Sequence, residues 1–208
     1  MSVACVILAA GRSQRFGTPK ALAQWRGKPF ARRITEEAER AGLFPRLIVL
    51  GHAWRTVRRA LGQVSAEFVV NRDYDKGQFS SLQAALARLR GQCNGAVICL
   101  VDQPQVTSRV LRQIAAQIEA KSDLLVAPVV GGRGVHPVGI GARWFDAVLE
   151  LPRESMLRDF FRKHRQYVLR PELDEPLLTL DVDTPEDLRK LEAAWALREM
   201  GRGLSGQG

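Results

Sequence analysis

Continuous runs of apolar residues alternate along the chain with longer segments in which apolar residues recur every three or four positions. Runs rich in Val, Ile and Leu, without polar residues at alternate positions, are typical of strands that are covered on both faces. Such runs predict strands at residues 3–8, 46–50, 66–70, 96–101, 123–129 and 177–182.

The segments between these runs have the periodicity of amphipathic helices, with one apolar face. This spacing predicts helices at residues 30–41, 53–61, 81–90, 108–120, 143–151 and 156–164. A last helix is expected to begin at Pro185, because Thr184 can cap it and Glu186 suits the positive end of its dipole.

The alternation of strands and helices predicts an α/β fold with a doubly wound, mostly parallel sheet in three α/β/α layers. We expect residues 1–200 to form this single domain and residues 201–208, which have little to bury, to be a flexible tail. Ligands bind beyond the carboxyl ends of the strands in such sheets. The segments expected to meet at that rim are residues 9–20, 71–81, 102–106 and 181–187.

The composition is that of a globular protein without a membrane-spanning segment. The 208 residues are 46% hydrophobic and 25% charged, as in an ordinary globular domain, and no apolar run approaches the ~20 residues that span a bilayer. No basic residue precedes the apolar run at 3–8, so we expect a cytoplasmic protein without membrane contact. Cys5, Cys93 and Cys99 form neither a CxxC pair nor a zinc-site spacing, which favours core positions.

The net charge of +9 favours anionic partners, such as nucleotides, phosphorylated metabolites or nucleic acid. The basic residues are scattered, and no nucleic-acid-binding motif accompanies them. We therefore expect no nucleic acid partner.

The loop after the first strand, LAAGRSQRFGTPK at residues 8–20, is basic and contains no acid. Small residues after a strand let backbone N–H groups approach an anion, and Arg12, Arg15 and Lys20 can neutralise a polyphosphate. The small side chains at 9–11 leave room for a base or a ribose. The glycine spacing fits neither a P-loop nor a dinucleotide motif, and on composition alone a solvated basic loop is an equal alternative.

Acidic residues follow two later strands. Asp102 begins the sequence DQP, and a carboxylate opposite a phosphate loop suits Mg²⁺, which takes one or two carboxylates together with substrate phosphates. An ordinary turn is the alternative for this motif. In LDVDTPEDL, either Asp181 or Asp183 can be a second ligand, and both face the same side if the strand stays extended. The alternative there is helix capping.

Two further loops carry weaker signals. The sequence NRDYDKGQFSSL at residues 71–82 leads into a helix that Ser80 or Ser81 can cap, and whose N-terminus can receive a phosphate or a base edge. Capping alone explains this motif equally well. The glycine-rich stretch at 131–141 can let a large substrate approach the backbone, and its lone histidine, His136, is expected to be structural rather than an acid or base.

Together these segments resemble the molybdenum cofactor cytidylyltransferase family of nucleotidyltransferases. The resemblance rests on LAAGRSQRFGTPKAL, VVNRDYDKGQFSSL, VDQPQV, HPV and DVDTPEDL, which follow in the family's order from about residue 3 to residue 191. It implies a Rossmann-like nucleotidyltransferase fold, and a reaction in which the terminal phosphate of molybdopterin attacks the α-phosphate of CTP and releases pyrophosphate. It also implies Mg²⁺, or alternatively Mn²⁺, as the cofactor, and a molybdoenzyme or its maturation chaperone as a further partner.

The resemblance also implies roles for individual residues. The triphosphate-binding and catalytic group is implied to be Gly11, Arg12, Arg15, Lys20 and Asp102. The other nucleotide contacts are implied to come from Leu8, Ala9, Ala10, Asn71 and Ser81. The pterin side is implied to include Gln103, Pro104 and His136. The metal is implied to bind Asp102, with Asp183 as the favoured second ligand.

Details of the motifs leave the base and the acceptor open. Ala10 matches CTP-using members, since GTP-using relatives usually have glycine there, and Gln103 stands where those relatives usually have methionine. Residues 22–25 replace a frequent Leu-Leu-Pro, and Gln78 replaces a frequent methionine. The alternatives are a GTP-using enzyme, a nucleotidyltransferase for a sugar phosphate or alditol phosphate, and a non-catalytic nucleotide-binding protein that delivers the cofactor.

Overall fold

A computed structural model of the protein describes residues 2–205. Its strands are β1 (Val3–Ala9), β2 (Gln24–Trp25), β3 (Lys28–Pro29), β4 (Arg46–Leu50), β5 (Glu67–Val70), β6 (Gly95–Leu100), β7 (Leu125–Val126), β8 (Val129–Val130), β9 (Arg133–Gly134), β10 (Val138–Gly141) and β11 (Val168–Leu169). Its α-helices are α1 (Phe30–Arg40), α2 (Trp54–Leu61), α3 (Gln78–Leu89), α4 (Ser108–Ala120), α5 (Phe145–Leu149), α6 (Leu157–Lys163) and α7 (Pro185–Ser205).

Seven of these strands form one sheet, in the order β11-β7-β10-β6-β1-β4-β5. The strands pair in parallel except β10, which is antiparallel to its neighbours β6 and β7. Helices α1 and α4 pack against one face through Ile34 and Ile114, and α3 and α6 pack against the other through Leu86 and Phe160. The doubly wound, mostly parallel sheet predicted from the sequence is therefore confirmed.

Strand β1 lies at the centre of the sheet, and all seven of its residues are buried. The chain runs from β1 to β4 and β5 on one side and then returns to β6 on the other. The strand order thus reverses between β1 and β6. Such a reversal opens a crevice beyond the carboxyl ends of the two strands, where ligands bind in sheets of this kind.

Two strand predictions are wrong in part. Within 123–129, only β7 and the first residue of β8 are strand. Residues 177–182 form no strand, because a 3₁₀ turn at Pro176–Thr179 folds the chain back, and beyond it Val182 donates one backbone hydrogen bond to Asp102. That segment is therefore held beside the end of β6 by one backbone bond and by side-chain bonds from Gln103 and Gln105, rather than by a ladder.

Strand β10 lies in the glycine-rich stretch that was predicted as a loop. Its glycines are needed for close packing, since a Cβ atom on Gly141 would lie 2.0 Å from the Ser122 carbonyl oxygen, and one on Gly139 would lie 2.9 Å from Ile118. Because these positions are glycine, the segment lacks the run of Val, Ile and Leu that predicts a strand. The same glycines allow the segment to pair with β6.

Helix α7 begins as predicted. The Thr184 hydroxyl accepts a hydrogen bond from the Asp187 N–H, and the Asp187 carboxylate accepts one from the Thr184 N–H, so the two residues cap the helix reciprocally. The backbone is helical to Ser205, and residues 206–208, the end of the predicted tail, lie outside the described residues.

Two further expectations concern membranes and cysteines. Among residues 2–205, no helix is both long enough and apolar enough to cross a membrane. Cys5, Cys93 and Cys99 are all free and buried, as expected of core residues.

Candidate active site

The loop after β1 is a folded turn that fixes the start of Lys20. Ser13 adopts a left-handed φ of 52°, and its carbonyl accepts hydrogen bonds from Phe16 and Gly17. The Ser13 hydroxyl oxygen accepts a hydrogen bond from the Lys20 N–H at 3.0 Å. The basic loop therefore has its own internal bonds, and these aim the Lys20 side chain across the crevice.

The Lys20 ammonium connects the loop after β1 with the segment after β6, which carries Asp102, and with the segment before α7, which carries Asp183. Its Nζ atom donates to Asp183 Oδ1 at 2.6 Å and to Asp102 Oδ2 at 3.2 Å. Arg15 donates to the other Asp183 oxygen at 2.7 Å. The Lys20 side chain is 12% exposed and that of Arg15 is 72% exposed. Because one Nζ atom contacts both acids, the two carboxylates lie within reach of a single cation.

The two carboxylates have opposite electrostatic environments. Burial raises the pKa of Asp102, and the neighbouring Lys20 offsets this only in part. For Asp183, the hydrogen bond from Lys20 lowers the pKa and outweighs the effect of its partial burial. Asp102 is therefore the acid that would gain more from an additional positive charge.

The donor set fits a Mg²⁺ or Mn²⁺ ion. Asp102 Oδ1 is buried and has no hydrogen-bond partner among the described residues, and Asp183 supplies a second carboxylate. No group of three or more His, Cys, Asp or Glu residues suited to a metal occurs in residues 2–205. Mg²⁺ commonly binds one or two carboxylates and completes its shell with phosphate oxygens and water, so two acids are sufficient here.

A cavity of about 550 Å³ opens above these charges. Ten residues predicted for nucleotide or metal binding line it: Leu8, Ala9, Ala10, Gly11, Arg12, Arg15, Lys20, Ser81, Asp102 and Asp183. The Arg12 guanidinium lies 5.8 Å from the centre of the Tyr74 ring, and it forms no ion pair within the described part of the chain. Arg12 is thus free to bind an anion.

Sequence reasoning missed Tyr74 as part of the cavity wall, although an aromatic residue in the otherwise polar motif NRDYDKG was a usable signal. The tyrosine approaches the end of β4 closely. A Cβ atom on Gly51 would lie 2.5 Å from Tyr74 Cβ and 2.7 Å from the Ala10 carbonyl oxygen. Gly51 therefore lets the two loops pack against each other at the cavity.

The segment before α3 is organised differently from the prediction. The helix begins at Gln78, with Gly77 as its N-cap, so Ser80 and Ser81 are not caps. The Ser80 hydroxyl donates instead to the Gly77 carbonyl at 2.7 Å. Gly77 has a φ of 103°, which lets the chain turn into the helix three residues before Ser80.

Asn71 lies outside the cavity lining. It is 5% exposed, and its amide donates to the hydroxyl oxygens of Ser80 at 2.8 Å and Ser81 at 3.0 Å. Asn71 therefore anchors Ser81, which does line the cavity, and its implied contact with the nucleotide stays a prediction.

Gln103 and Pro104 are occupied by contacts within the fold. The buried Gln103 amide donates to Asp181 Oδ1 at 2.7 Å, and the Pro104 carbonyl accepts from Arg33. Asp181 therefore faces Gln103 whereas Asp183 faces Lys20. The sequence predicts that both acids face one side only for an extended strand, and the segment is not a strand. Of the two, Asp183 shares a cation with Asp102.

His136 lines a second cavity, of about 440 Å³, which adjoins the first. Both cavities share Leu8, Gly77 and Gln78. The second cavity is mainly apolar, and its apolar lining residues are Leu8, Phe79, Leu82, Ile98, Met156 and Leu157. Burial lowers the pKa of His136, an effect that Asp181 partly offsets, which favours the neutral imidazole at neutral pH.

The family model of the MobA-like NTP transferase domain matches residues 5–168 of this chain. A Bacillus cytotoxicus protein named probable molybdenum cofactor guanylyltransferase is 28% identical over 134 residues, which span 64% of this chain and 64% of that protein. The molybdenum cofactor cytidylyltransferase of Escherichia coli is 24% identical, over 89% of this chain and 93% of its own length.

Solved structures show the same fold. The crystal structure of Rv0371c from Mycobacterium tuberculosis has a TM-score of 0.81 at 31% sequence identity, covering 92% of this chain and 97% of that chain. A complex of Rv0371c with manganese has a TM-score of 0.77 at 29% identity. The structural similarity thus extends over nearly the whole chain, and the residues matched by the family model include Lys20 and Asp102.

Proposed function

Because the chain belongs to the MobA-like NTP transferase family, we propose that it transfers CMP from CTP to the phosphate of molybdopterin and releases pyrophosphate. The observation that carries this proposal is the pair of carboxylates, Asp102 and Asp183, joined by Lys20 at the crevice between β1 and β6. A basic loop, a cation site and a cavity large enough for a nucleotide meet at this point. That combination suits a reaction at a phosphate.

Positioning and neutralisation of charge account for the chemistry. An oxygen of the acceptor phosphate forms a bond to the α-phosphorus of CTP, and the bond from that phosphorus to the bridging oxygen breaks, so pyrophosphate leaves with the electron pair. The acceptor oxygen is already anionic, so no protein base is needed. Arg12, Arg15 and Lys20 offset the negative charge of the triphosphate and of the leaving pyrophosphate.

A divalent ion bound by Asp102 and Asp183 supplies additional positive charge at the phosphates. The chain's own contribution is to hold these two carboxylates at fixed positions. Asp102 is held at the end of a buried strand, and Asp183 is held next to it by the bond from Val182 to the Asp102 carbonyl.

The proposed preference for CTP rests on Ala10, which lines the cavity and, compared with glycine, leaves less room for a purine than for a pyrimidine. Relatives are named for guanylyl transfer as well as for cytidylyl transfer. The choice of CTP over GTP is therefore proposed from Ala10 and not from the family. The adjoining apolar cavity supports an acceptor with a ring system there and its phosphate directed toward the nucleotide.

The proposal is tested by following pyrophosphate release with CTP, GTP, ATP and UTP in turn, in the presence of Mg²⁺ and either molybdopterin, a sugar phosphate or an alditol phosphate. We expect CTP to react fastest, and no release without the metal or the acceptor. Release with GTP equal to or faster than that with CTP would contradict the base assignment, and release only with a sugar phosphate or alditol phosphate would contradict the acceptor.

The metal-binding role of Asp102 is tested in the same assay with Asp102→Asn, which keeps the shape of the side chain and removes its charge. We expect turnover to fall by at least ~10²–10³-fold, because a preorganised electrostatic contact to the reacting phosphates is lost. Asp75→Asn is the matched control, since Asp75 is exposed on the nearby loop and does not line the cavity. Normal turnover of Asp102→Asn with an intact fold would remove Asp102 from the site.

A further inference from the structure

The Lys20 ammonium contacts both of the carboxylates proposed to bind the metal, which binding of a nucleotide phosphate by itself would not require. The ammonium is hydrogen-bonded to Asp183 at 2.6 Å and to Asp102 at 3.2 Å, and the Lys20 side chain is largely buried between them. These are the same two carboxylates that are proposed to hold the divalent ion. The lysine therefore acts as the resident cation of that site.

A divalent ion and this ammonium compete for the same oxygen atoms. An ion that used both carboxylates would have to displace Nζ from Asp183 Oδ1 or Asp102 Oδ2. An ion that used only the unpartnered Asp102 Oδ1 would still lie a few ångströms from the Lys20 ammonium as long as that group remained on the carboxylates. Repulsion between like charges at such separations is substantial in a partly buried site.

The backbone of Lys20 is held by hydrogen bonds, whereas its side chain can change conformation. The N–H is held by the Ser13 hydroxyl, and the residue begins a 3₁₀ turn at Lys20–Leu22. The side chain, by contrast, is a flexible four-carbon stem with an ammonium at its end. The ammonium can move from the carboxylates to a nearby anion while the loop keeps its shape.

We propose that Lys20 is a metal-exchange residue: its ammonium fills the cation site in the nucleotide-free protein and transfers to the nucleotide phosphates when the metal and nucleotide bind. This rests on the proposed function, because it assumes that the cavity takes a nucleoside triphosphate. The consequence is that metal and nucleotide bind interdependently. Each raises the affinity for the other, and by thermodynamic linkage both effects have the same size.

The test measures Mn²⁺ affinity by calorimetry and by electron paramagnetic resonance, with and without CTP, for the wild-type protein and for Lys20→Met. Methionine keeps an unbranched stem and removes the charge. Without CTP, we expect Lys20→Met to bind Mn²⁺ at least about tenfold more tightly than the wild type, because the competing cation is gone. Adding CTP should raise Mn²⁺ affinity strongly in the wild type and much less in the variant.

Two controls separate exchange from a general effect of charge. Lys28→Met also removes one positive charge, but Lys28 pairs with Glu36 away from the cavity, so its Mn²⁺ affinity should match that of the wild type. Lys20→Gln repeats the test with a polar side chain should Lys20→Met unfold. Thermal unfolding of each variant confirms that the fold is retained.

The outcomes distinguish this inference from the proposed function. If the Lys20 variants bind Mn²⁺ without CTP no more tightly than the wild type, while CTP-dependent binding and transfer persist in the wild type, exchange is wrong and the nucleotidyltransferase proposal stands. If no protein binds Mn²⁺ even with CTP, both the exchange and the proposed metal site fail.

Discussion

At the scale of single residues, the site balances its own charges before any ligand arrives. The two carboxylates, Asp102 and Asp183, are offset by Lys20 and by the exposed Arg15. Arg12 has no carboxylate partner among the described residues and lies beside the Tyr74 ring instead. A metal-bound triphosphate therefore enters a site in which Arg12 is free, and Lys20 is released from the acids when the metal takes its place.

Ala10 is the residue on which the proposed preference for CTP depends. Replacing Ala10 with glycine removes a methyl group from the cavity lining, and we expect the relative use of GTP over CTP to rise. One methyl group is worth about 1–3 kcal/mol, so the ratio of kcat/KM values should change by at least ~10-fold. The ratio is measured with both nucleotides competing in one reaction.

The control for this prediction is Ala10→Ser, which keeps the Cβ atom and should retain the preference for CTP. An unchanged GTP-to-CTP ratio in Ala10→Gly would show that the base is selected elsewhere in the cavity.

At the scale of elements, Gly51 determines how the loop after β5 packs against the loop after β1. A Cβ atom at Gly51 would lie within 2.7 Å of both Tyr74 and the Ala10 carbonyl oxygen. We expect Gly51→Ala to destabilise the fold by about 1–3 kcal/mol through overpacking. It should also raise KM for the nucleotide, since both displaced loops line the cavity. Denaturant unfolding and steady-state kinetics measure the two effects.

Gly134→Ala is the matched control for Gly51→Ala. A Cβ atom at Gly134 would have no neighbour within 4 Å, so this change should leave both stability and KM unaltered. Equal, small effects from the two substitutions would mean that the contact at Gly51 does not constrain the cavity.

Elements whose residues are apolar throughout were predictable from the sequence, and those built around glycine or proline were not. Strands β1 and β4 follow directly from their Val, Ile and Leu content. Strand β10 did not, because Gly139 and Gly141 are placed there by contacts with residues far away in sequence. Residues 177–182 have the composition of a strand, but the 3₁₀ turn that Pro176 begins removes them from the sheet.

At the scale of the whole molecule, the order of the strands brings the site together. The rule that ligands bind beyond the carboxyl ends of parallel strands predicted that the segments after β1, β5 and β6 would meet, and the cavity draws on all three. The rule does not specify side-chain contacts. That Lys20 bonds both acids, that Gln103 faces Asp181, and that Asn71 anchors Ser81 depend on packing that the sequence pattern does not encode.

In the proposed reaction the CMP group, with its α-phosphate, moves to the acceptor, and radiolabelled CTP follows this transfer. The protein is incubated with Mg²⁺, molybdopterin and CTP that carries ³²P at either the α or the γ position, and the products are separated. We expect the α label to appear in a pterin conjugate and the γ label in pyrophosphate. Transfer of the γ label to the pterin, or release of both labels without a conjugate, would contradict it.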